Sequence, residues 1–265
     1  MEKGFYLYCV LNSTEELDIN ILGIDNKHEP YIISCQEVGI LVSEVMLSEF
    51  GQQELAEKVQ DLAWLQRKAK RHEQVIEEVM SKTSVIPLTF GVIFKKEIRL
   101  KEAISQSLPE IKETFEVING CEEWGLKLYC DFLQLRDSMS KISPEVKEIE
   151  SRLEKSQGAS MEFLEQRLEQ ELDNKVKKEA FRIADEIYEE LSTIAVQDQL
   201  NKIEDLEIDG FSKPMLLNSV YLIGKDRSSD LLIKLKELEV NYSDLGFYFY
   251  YSGPWPPYNF SYLEL

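Results

Sequence analysis

The two histidines, His28 and His72, are the side chains best suited to acid–base chemistry near neutral pH, and they lie far apart in the chain. His72 falls inside a predicted helix, beside its apolar stripe. This position favours a packed, hydrogen-bonded side chain over a catalytic one, and it leaves open the alternative of an enzyme that uses His72 with nearby carboxylates. His28 lies in the polar loop DNKHEP, where we expect an exposed side chain.

The thiols and glycines show no spacing typical of a metal or nucleotide site. The four cysteines form no C-x-x-C pair, and we interpret them as free thiols: Cys9, Cys35, Cys121 and Cys130. The glycine-rich signatures of dinucleotide and triphosphate binding are absent from the sequence, and so is G-x-S-x-G. The sequence therefore predicts no catalytic residue, no metal and no cofactor.

The acidic composition limits the classes of partner. With a formal net charge of −19, the chain lacks the basic footprint that nucleic acids and anionic lipid membranes require. Residues 144–209 contain 19 acidic and 9 basic residues, which we interpret as a solvated helical face. The basic cluster Arg67–Arg71 is compatible with contact to an acidic surface, including this chain's own central helices, and equally with a plain surface stripe.

Apolar periodicity in the first half predicts short strands and two long helices. Runs rich in β-branched and aromatic residues predict strands at Phe5–Leu11, Tyr31–Cys35, Val38–Val42 and Val85–Phe94. Apolar residues at steps of three and four predict helices over Gln52–Ser81 and Glu97–Val117, the second kinked at Pro109. The two strands around Gln36-Glu37 are predicted to form a hairpin.

The second half is predicted to be organised around long helices. A helix start at Ser143-Pro144 is followed by a break at Gly158–Ser160 and then by a helix of about 35 residues, about 50 Å long. A polar break is expected at Ile203–Ser212. The remaining predicted elements are strands at Glu122–Leu133, Met215–Ile223 and Gly246–Tyr251 and a short helix at Ser228–Leu238.

This order of elements indicates an α+β protein of two domains. We place an N-terminal ferredoxin-like α/β sandwich at residues 1–119 and a second α+β domain at residues 120–265. The second domain contains a long helical hairpin at about 143–198 and an extended aromatic and proline-rich tail at 252–265.

The C-terminal stretch GFYFYYSGPWPPYNF, residues 246–260, joins an aromatic strand to a proline-rich end. Proline cannot donate to a strand ladder, so the segment from Gly253 onward is expected to leave the sheet. One interpretation is that the tail packs over its own sheet and seals an edge, with Trp255 supplying most of the packing. The other is that the tail stays exposed and binds a partner.

Three stretches together resemble the gas vesicle protein F/L family. They are Trp64–Met80 (WLQRKAKRHEQVIEEVM) followed by Val85–Phe94 (VIPLTFGVIF), then Gly120–Leu128 (GCEEWGLKL), and finally Ser252–Phe260 (SGPWPPYNF). In this order and at these separations they cover nearly the whole chain. The likeness is nearer to the cyanobacterial F type, although the F and L types share these motifs.

The resemblance implies a modified ferredoxin-like core in the C-terminal domain and a non-enzymatic role in forming gas vesicles, the protein-shelled buoyancy organelles of the cytoplasm. It implies a minor vesicle component or assembly factor that contacts the small hydrophobic shell protein, gas vesicle protein A, and other gas vesicle proteins. We expect a monomer.

Because an apolar shell subunit needs an aromatic surface to hold it, the candidate partner contacts are Trp255, Tyr258, Phe260 and Trp124. A generic module for an unrelated helical partner is a further alternative.

Overall fold

The structure, a computed structural model, describes residues 2–155, 161–203 and 213–265. The chain divides into two compact units: Met1–Glu123 together with Pro254–Leu265, and Trp124–Gly253. Each unit combines a β-sheet with helices, so the predicted α+β class is confirmed. The domain boundary at residues 119 and 120 stays a prediction. That prediction assigned residues 254–265 to the second domain, whereas their contacts group them with the first unit.

The first unit contains a sheet in which β1 lies between β3 and β4. Its strands are β1 (Lys3–Leu11), β2 (Tyr31–Cys35), β3 (Val38–Met46), β4 (Val85–Pro87) and β5 (Ile93–Phe94). The order is β2-β3-β1-β4, and β5 also pairs with β1. Strands β2 and β3 form the predicted hairpin, with Cys35 opposite Val38. Residues Tyr6–Leu11 are fully buried, and because successive side chains point to opposite faces, both faces of β1 are covered.

Two of the five helices described in the first unit begin at a side-chain cap or a proline. The five are α1 (Leu47–Phe50), α2 (Gln52–Lys58), α3 (Leu62–Met80), α4 (Glu97–Gln106) and α5 (Leu108–Ile118). The single helix predicted over Gln52–Ser81 is therefore wrong. Asp61 starts α3 by accepting hydrogen bonds from the backbone N–H groups of Ala63 at 3.0 Å and Trp64 at 3.1 Å. The kink predicted near Pro109 is a complete break between α4 and α5.

The second unit packs helices on a sheet of order β7-β8-β6-β9. Its elements are β6 (Cys121–Cys130), α6 (Phe132–Ile142), α7 (Pro144–Glu154), α8 (Met161–Ser192), β7 (Gln197–Leu200), β8 (Met215–Gly224), α9 (Ser228–Tyr242) and β9 (Phe247–Trp255). Helix α8 has 32 residues, close to the predicted length. One apolar cluster joins the sheet to helices α6–α9.

Two elements of this unit have no counterpart in the sequence prediction. The strand predicted over Glu122–Leu133 ends at Cys130, because Asp131 accepts hydrogen bonds from the N–H groups of Leu133 and Gln134 and so starts α6. Strand β7 is also additional. The predicted break at Gly158–Ser160 and most of the one at Ile203–Ser212 lie outside the described residues.

The last strand corrects the expectation for the proline-rich end. β9 continues to Trp255, through Gly253 and Pro254, instead of ending at Tyr251. It is the edge strand of its sheet, where a residue without an N–H group is tolerated on the unpaired side. In the described ranges, no helix is both long and apolar enough to cross a membrane.

Candidate interaction site of the C-terminal tail

The tail that follows β9 packs against the first unit. Pro256 and Pro257 are buried, and Tyr258 contacts the apolar cluster of that unit. The Tyr258 hydroxyl donates a 3.1 Å hydrogen bond to the Glu73 carboxylate on α3. The tail thus packs on its own chain, but against the first unit, whereas the sealing interpretation placed it over the sheet of its own strand. Trp255, which was predicted to supply most of the packing, is 38% exposed and is less covered than Pro256, Pro257 and Tyr258.

A second anchor joins Asn259 to Glu123. The Asn259 backbone N–H donates to Glu123 Oε2 at 2.8 Å, and its side-chain amide donates to Oε1 at 2.6 Å. Glu123 is 5% exposed, so this carboxylate depends on Asn259 for partners that water would otherwise provide. One turn of the tail is closed by Ser261, whose hydroxyl donates to the Pro257 carbonyl at 2.6 Å.

The ionisable groups of these anchors are perturbed by burial. Burial raises the pKa of Glu123, although the two hydrogen bonds from Asn259 favour its charged form. Burial also raises the pKa of Glu73, and the charges of Glu77 and Glu123 add to the effect. The pKa of Tyr258 is raised by burial and by the Glu73 carboxylate, so the phenol keeps its proton and donates a hydrogen bond to Glu73. Chemically, this arrangement holds the tail in place through charge-assisted hydrogen bonds.

The four residues predicted to contact a partner have different surroundings. Trp255 is partly exposed, and Tyr258 and Phe260 are half-buried within the tail. Trp124 is 7% exposed and belongs to the apolar core of the second unit, so in this conformation its ring packs internally. Tyr262 is 70% exposed and was not among the predicted residues.

Sequence reasoning missed the anchoring residues Glu73, Glu123 and Asn259. Glu73 looks like one more acid on a charged helix, and Glu123 is one of two adjacent acids at the start of a strand. Neither carries a local pattern that marks it as a tail contact, because the partners of Glu73 and Glu123 lie 185 and 136 positions away in the sequence.

His72 is a packed, hydrogen-bonded side chain, as the sequence favoured. It is 3% exposed, with Nδ1 2.9 Å from the Tyr6 hydroxyl and Nε2 2.9 Å from the Leu88 carbonyl oxygen. A carbonyl can only accept, so Nε2 carries the proton and Nδ1 accepts from Tyr6. The Tyr6 oxygen in turn accepts from the Gly91 N–H at 3.2 Å.

The surroundings of His72 also bear on the alternative of an enzyme that uses this residue with nearby carboxylates. Burial lowers the pKa of His72 to about 4, although its hydrogen bond to Leu88 opposes the shift. At neutral pH the ring is therefore uncharged, and its hydrogen-bond partners are a phenol and a carbonyl rather than a carboxylate. Among the described residues, no group of three or more His, Cys, Asp or Glu side chains is placed to hold a metal ion.

His28 is bound more tightly than the sequence suggested. Its Nδ1 lies 2.6 Å from Asp25 Oδ2, and the backbone N–H groups of Lys27 and His28 donate to Oδ1. Burial alone would raise the pKa of Asp25, but these hydrogen bonds outweigh it and the pKa is lowered. The hydrogen bonds between Asp25 and His28 hold the loop that precedes β2.

The basic cluster on α3 is divided between internal and exposed positions. Lys68 donates from Nζ to the Ile24 carbonyl at 2.6 Å, and its ammonium lies 5.2 Å from the centre of the Phe50 ring. Arg67 and Lys70 are exposed. One member of the cluster therefore holds a loop, and two face solvent.

The fold and these sites define an acidic α+β protein whose buried polar groups fasten a loop and a tail. Comparison with known proteins then identifies the family. The family model described as "Gas vesicle synthesis protein GvpL/GvpF" matches residues 4–262, and the chain belongs to this family.

Relatives and solved structures agree with this assignment. Gas vesicle protein L of Streptomyces sp. is 22% identical over 88% of this chain and 83% of its own length. Gas vesicle protein F1 of Halobacterium salinarum is 20% identical over 98% and 93%. The crystal structure of GvpF from Anabaena sp. covers 100% of both chains with a TM-score of 0.71 at 18% identity. GvpF from Microcystis aeruginosa gives 0.67 at 19% identity, covering 98% and 99%. These two likenesses show a shared fold, and family membership supports a role in gas vesicle formation.

Proposed function

We propose that this protein is a minor component or assembly factor of gas vesicles that binds the small hydrophobic shell protein, gas vesicle protein A, and limits its aggregation before assembly. The observation that carries the proposal is the family match over residues 4–262. Other gas vesicle proteins are further partners under the same proposal.

Physical chemistry supports this role. A shell subunit with an apolar gas-facing surface aggregates unless that surface is covered or its nucleation is controlled. A carrier with a net charge of −19 repels its own copies and stays dispersed while it holds such a subunit. No chemical step is required of the carrier.

The partner contacts proposed from the sequence are Trp255, Tyr258, Phe260 and Trp124, and their exposure ranks them. Trp255 is the most exposed of the four, and Tyr262 adds a second accessible aromatic ring in the tail. Tyr258 and Phe260 contribute mainly by holding the tail in shape. Trp124 can contact a partner only if its ring leaves the apolar core of the second unit.

The test is recovery of the shell protein by the full chain and by Trp255→Ser. We expect the substitution to reduce recovery about fivefold, as loss of an aromatic anchor does, in a chain that circular dichroism shows to be folded. Phe181→Ser is the matched control, because Phe181 is an aromatic of similar exposure, 48%, on α8. Equal recovery with Trp255→Ser and the wild type would refute the tail contact, and failure of the wild type to recover shell protein would refute the proposed binding.

A further inference from the structure

An apolar cleft in the first unit lies beside α2. Its volume is about 440 Å³, and its lining includes Phe50, Leu55, Val59 and Ile93. Helix α2 has no buried residue along its seven positions, although it carries apolar side chains. A helix whose apolar side is only partly covered by its own chain is suited to contact with another molecule.

The apolar side chains of the α2 cleft follow the helix. Leu55 and Val59 are four residues apart and both line the cleft. Leu55 and Val59 are half-buried, and Leu62 is 71% exposed at the start of α3. The apolar lining therefore follows one side of α2 and its C-terminal end.

One cation lines this surface in a chain that is otherwise acidic. It is Lys95, whereas the ammonium groups of Lys58 and Lys68 lie outside the lining, beside the rings of Trp64 and Phe50. Among the described residues that line the α2 cleft, none is Asp or Glu. The whole chain has 49 acidic and 30 basic residues, so this local balance runs against its composition.

Acidic groups lie just outside the cleft. Glu2 and Glu54 line an adjoining lobe, and Glu49 forms an ion pair of 3.6 Å with Lys58. Glu54 lies in the first turn of α2, where the helix N-terminus favours a negative charge. The lining of the α2 cleft therefore combines apolar side chains with one lysine, Lys95, while the neighbouring acids lie outside it.

We infer that the α2 cleft is a docking site for an amphipathic helix of a partner protein that carries acidic residues beside its apolar face. Apolar side chains at steps of three and four residues enter the cleft, and the flanking carboxylates face Lys95. The apolar lining along α2 and the charge complementarity at Lys95 favour this occupant. The inference extends the proposed binding role to a surface separate from Trp255, and each can fail without the other.

The probe is a fluorescein-labelled helical peptide of about 18 residues, with leucines at steps of three and four and glutamates beside them. The control peptide keeps the leucines and replaces each glutamate by lysine. Measured by fluorescence polarisation with the full chain, the acidic peptide is expected to bind about tenfold more tightly or better, which is about 1.4 kcal/mol. Equal affinities, or no binding of the acidic peptide, would overturn the inference.

Two charge-matched variants locate the site. Ala56 is exposed and lines the cleft, so Ala56→Glu places a carboxylate there without burying it and is expected to weaken acidic-peptide binding about tenfold. Gln60→Glu makes the same change of charge at an exposed position outside the cleft lining and is expected to change binding less than about twofold.

Melting temperatures of both variants should match the wild type. Equal weakening by the two variants would show that the cleft is not the site. Displacement of both peptides by decanoate, without discrimination between them, would assign the cleft to a small amphiphile instead. None of these results depends on recovery of the shell protein, so failure of the proposed function is recognised separately.

Discussion

At the scale of single residues, buried polar side chains meet partners of matching chemistry. His72 lies between a phenol and a carbonyl, Tyr8 shares its hydroxyl with Ser43 at 2.7 Å, and Glu123 accepts twice from Asn259. In the part of the chain that the structure describes, no fully buried side-chain nitrogen or oxygen lacks a partner. These polar groups therefore specify the packing of the first unit without the cost of an unpaired donor or acceptor.

His72 makes stability depend on pH. Its pKa is about 4 in the folded chain against about 6.5 when unfolded, so the folded state favours the neutral ring. This contribution is fully present above about pH 6.5 and is lost as the pH falls towards 4, by up to about 1.4 kcal/mol per pH unit. Urea unfolding midpoints measured between these pH values should show the loss.

His72→Gln is the control for this pH dependence, because its side chain stays polar and does not titrate. Glu73 and Glu123 have raised pKa values and act in the opposite sense, since their contributions are lost as the pH rises. Both carboxylates are present in wild type and variant, so the difference between the two curves isolates His72. Parallel curves would contradict the prediction.

At the scale of secondary structure elements, short local signals decide where helices and strands begin. Asp61, Asp131 and Ser143 each accept a backbone hydrogen bond in the first turn of the helix that follows. Gly246 performs the corresponding task for β9, because its φ of 93° turns the chain from the end of α9 into the strand. These residues set the boundaries that apolar periodicity alone places poorly.

Gly246→Ala is expected to destabilise the chain more than Gly120→Ala. Both glycines have positive φ, 93° and 73°, so both substitutions incur backbone strain of about 1 kcal/mol. A Cβ at Gly246 would also lie 2.9 Å from the Asp131 carbonyl oxygen, whereas one at Gly120 meets nothing within 4 Å. The difference in the free energy of unfolding, measured in urea, should exceed about 1 kcal/mol. Equal losses would show that the turn at Gly246 relaxes freely.

At the scale of the whole molecule, net charge is the main electrostatic feature. The chain carries a formal charge of −19, and residues 144–209 alone contain 19 acidic against 9 basic residues. Most ion pairs in the described residues involve partly exposed side chains, such as Arg99 with Glu102 and Lys101 with Glu97. Such pairs contribute little each, so repulsion among the acids outweighs them.

Added salt is therefore expected to stabilise the protein. Raising NaCl from about 10 mM to about 200 mM shortens the screening length from about 30 Å to below 10 Å and weakens the repulsion. The melting temperature should rise by about 2–4 °C, which corresponds to about 1 kcal/mol for a chain of this size. KCl should act equally, because the effect is one of screening. A fall in melting temperature would show that the exposed ion pairs dominate.

Sequence alone determined the family, the α+β class and most elements with strong periodicity. The motifs at Trp64–Met80, Gly120–Leu128 and Ser252–Phe260 are local, and so is the apolar spacing of α3 and α8. The packed state of His72 was also readable, since its helix position lies beside the apolar stripe. Helix α6 and the break before α3 were missed because a single aspartate cap decides each of them.

Only the tertiary structure decided what the tail covers. Tyr258 meets Glu73 across 185 positions of sequence, and Asn259 meets Glu123 across 136. The α2 cleft likewise depends on Phe50 and Ile93, which different elements bring together. Local propensity sets each segment's conformation, whereas the burial of a carboxylate or the shape of a cleft depends on the path of the whole chain.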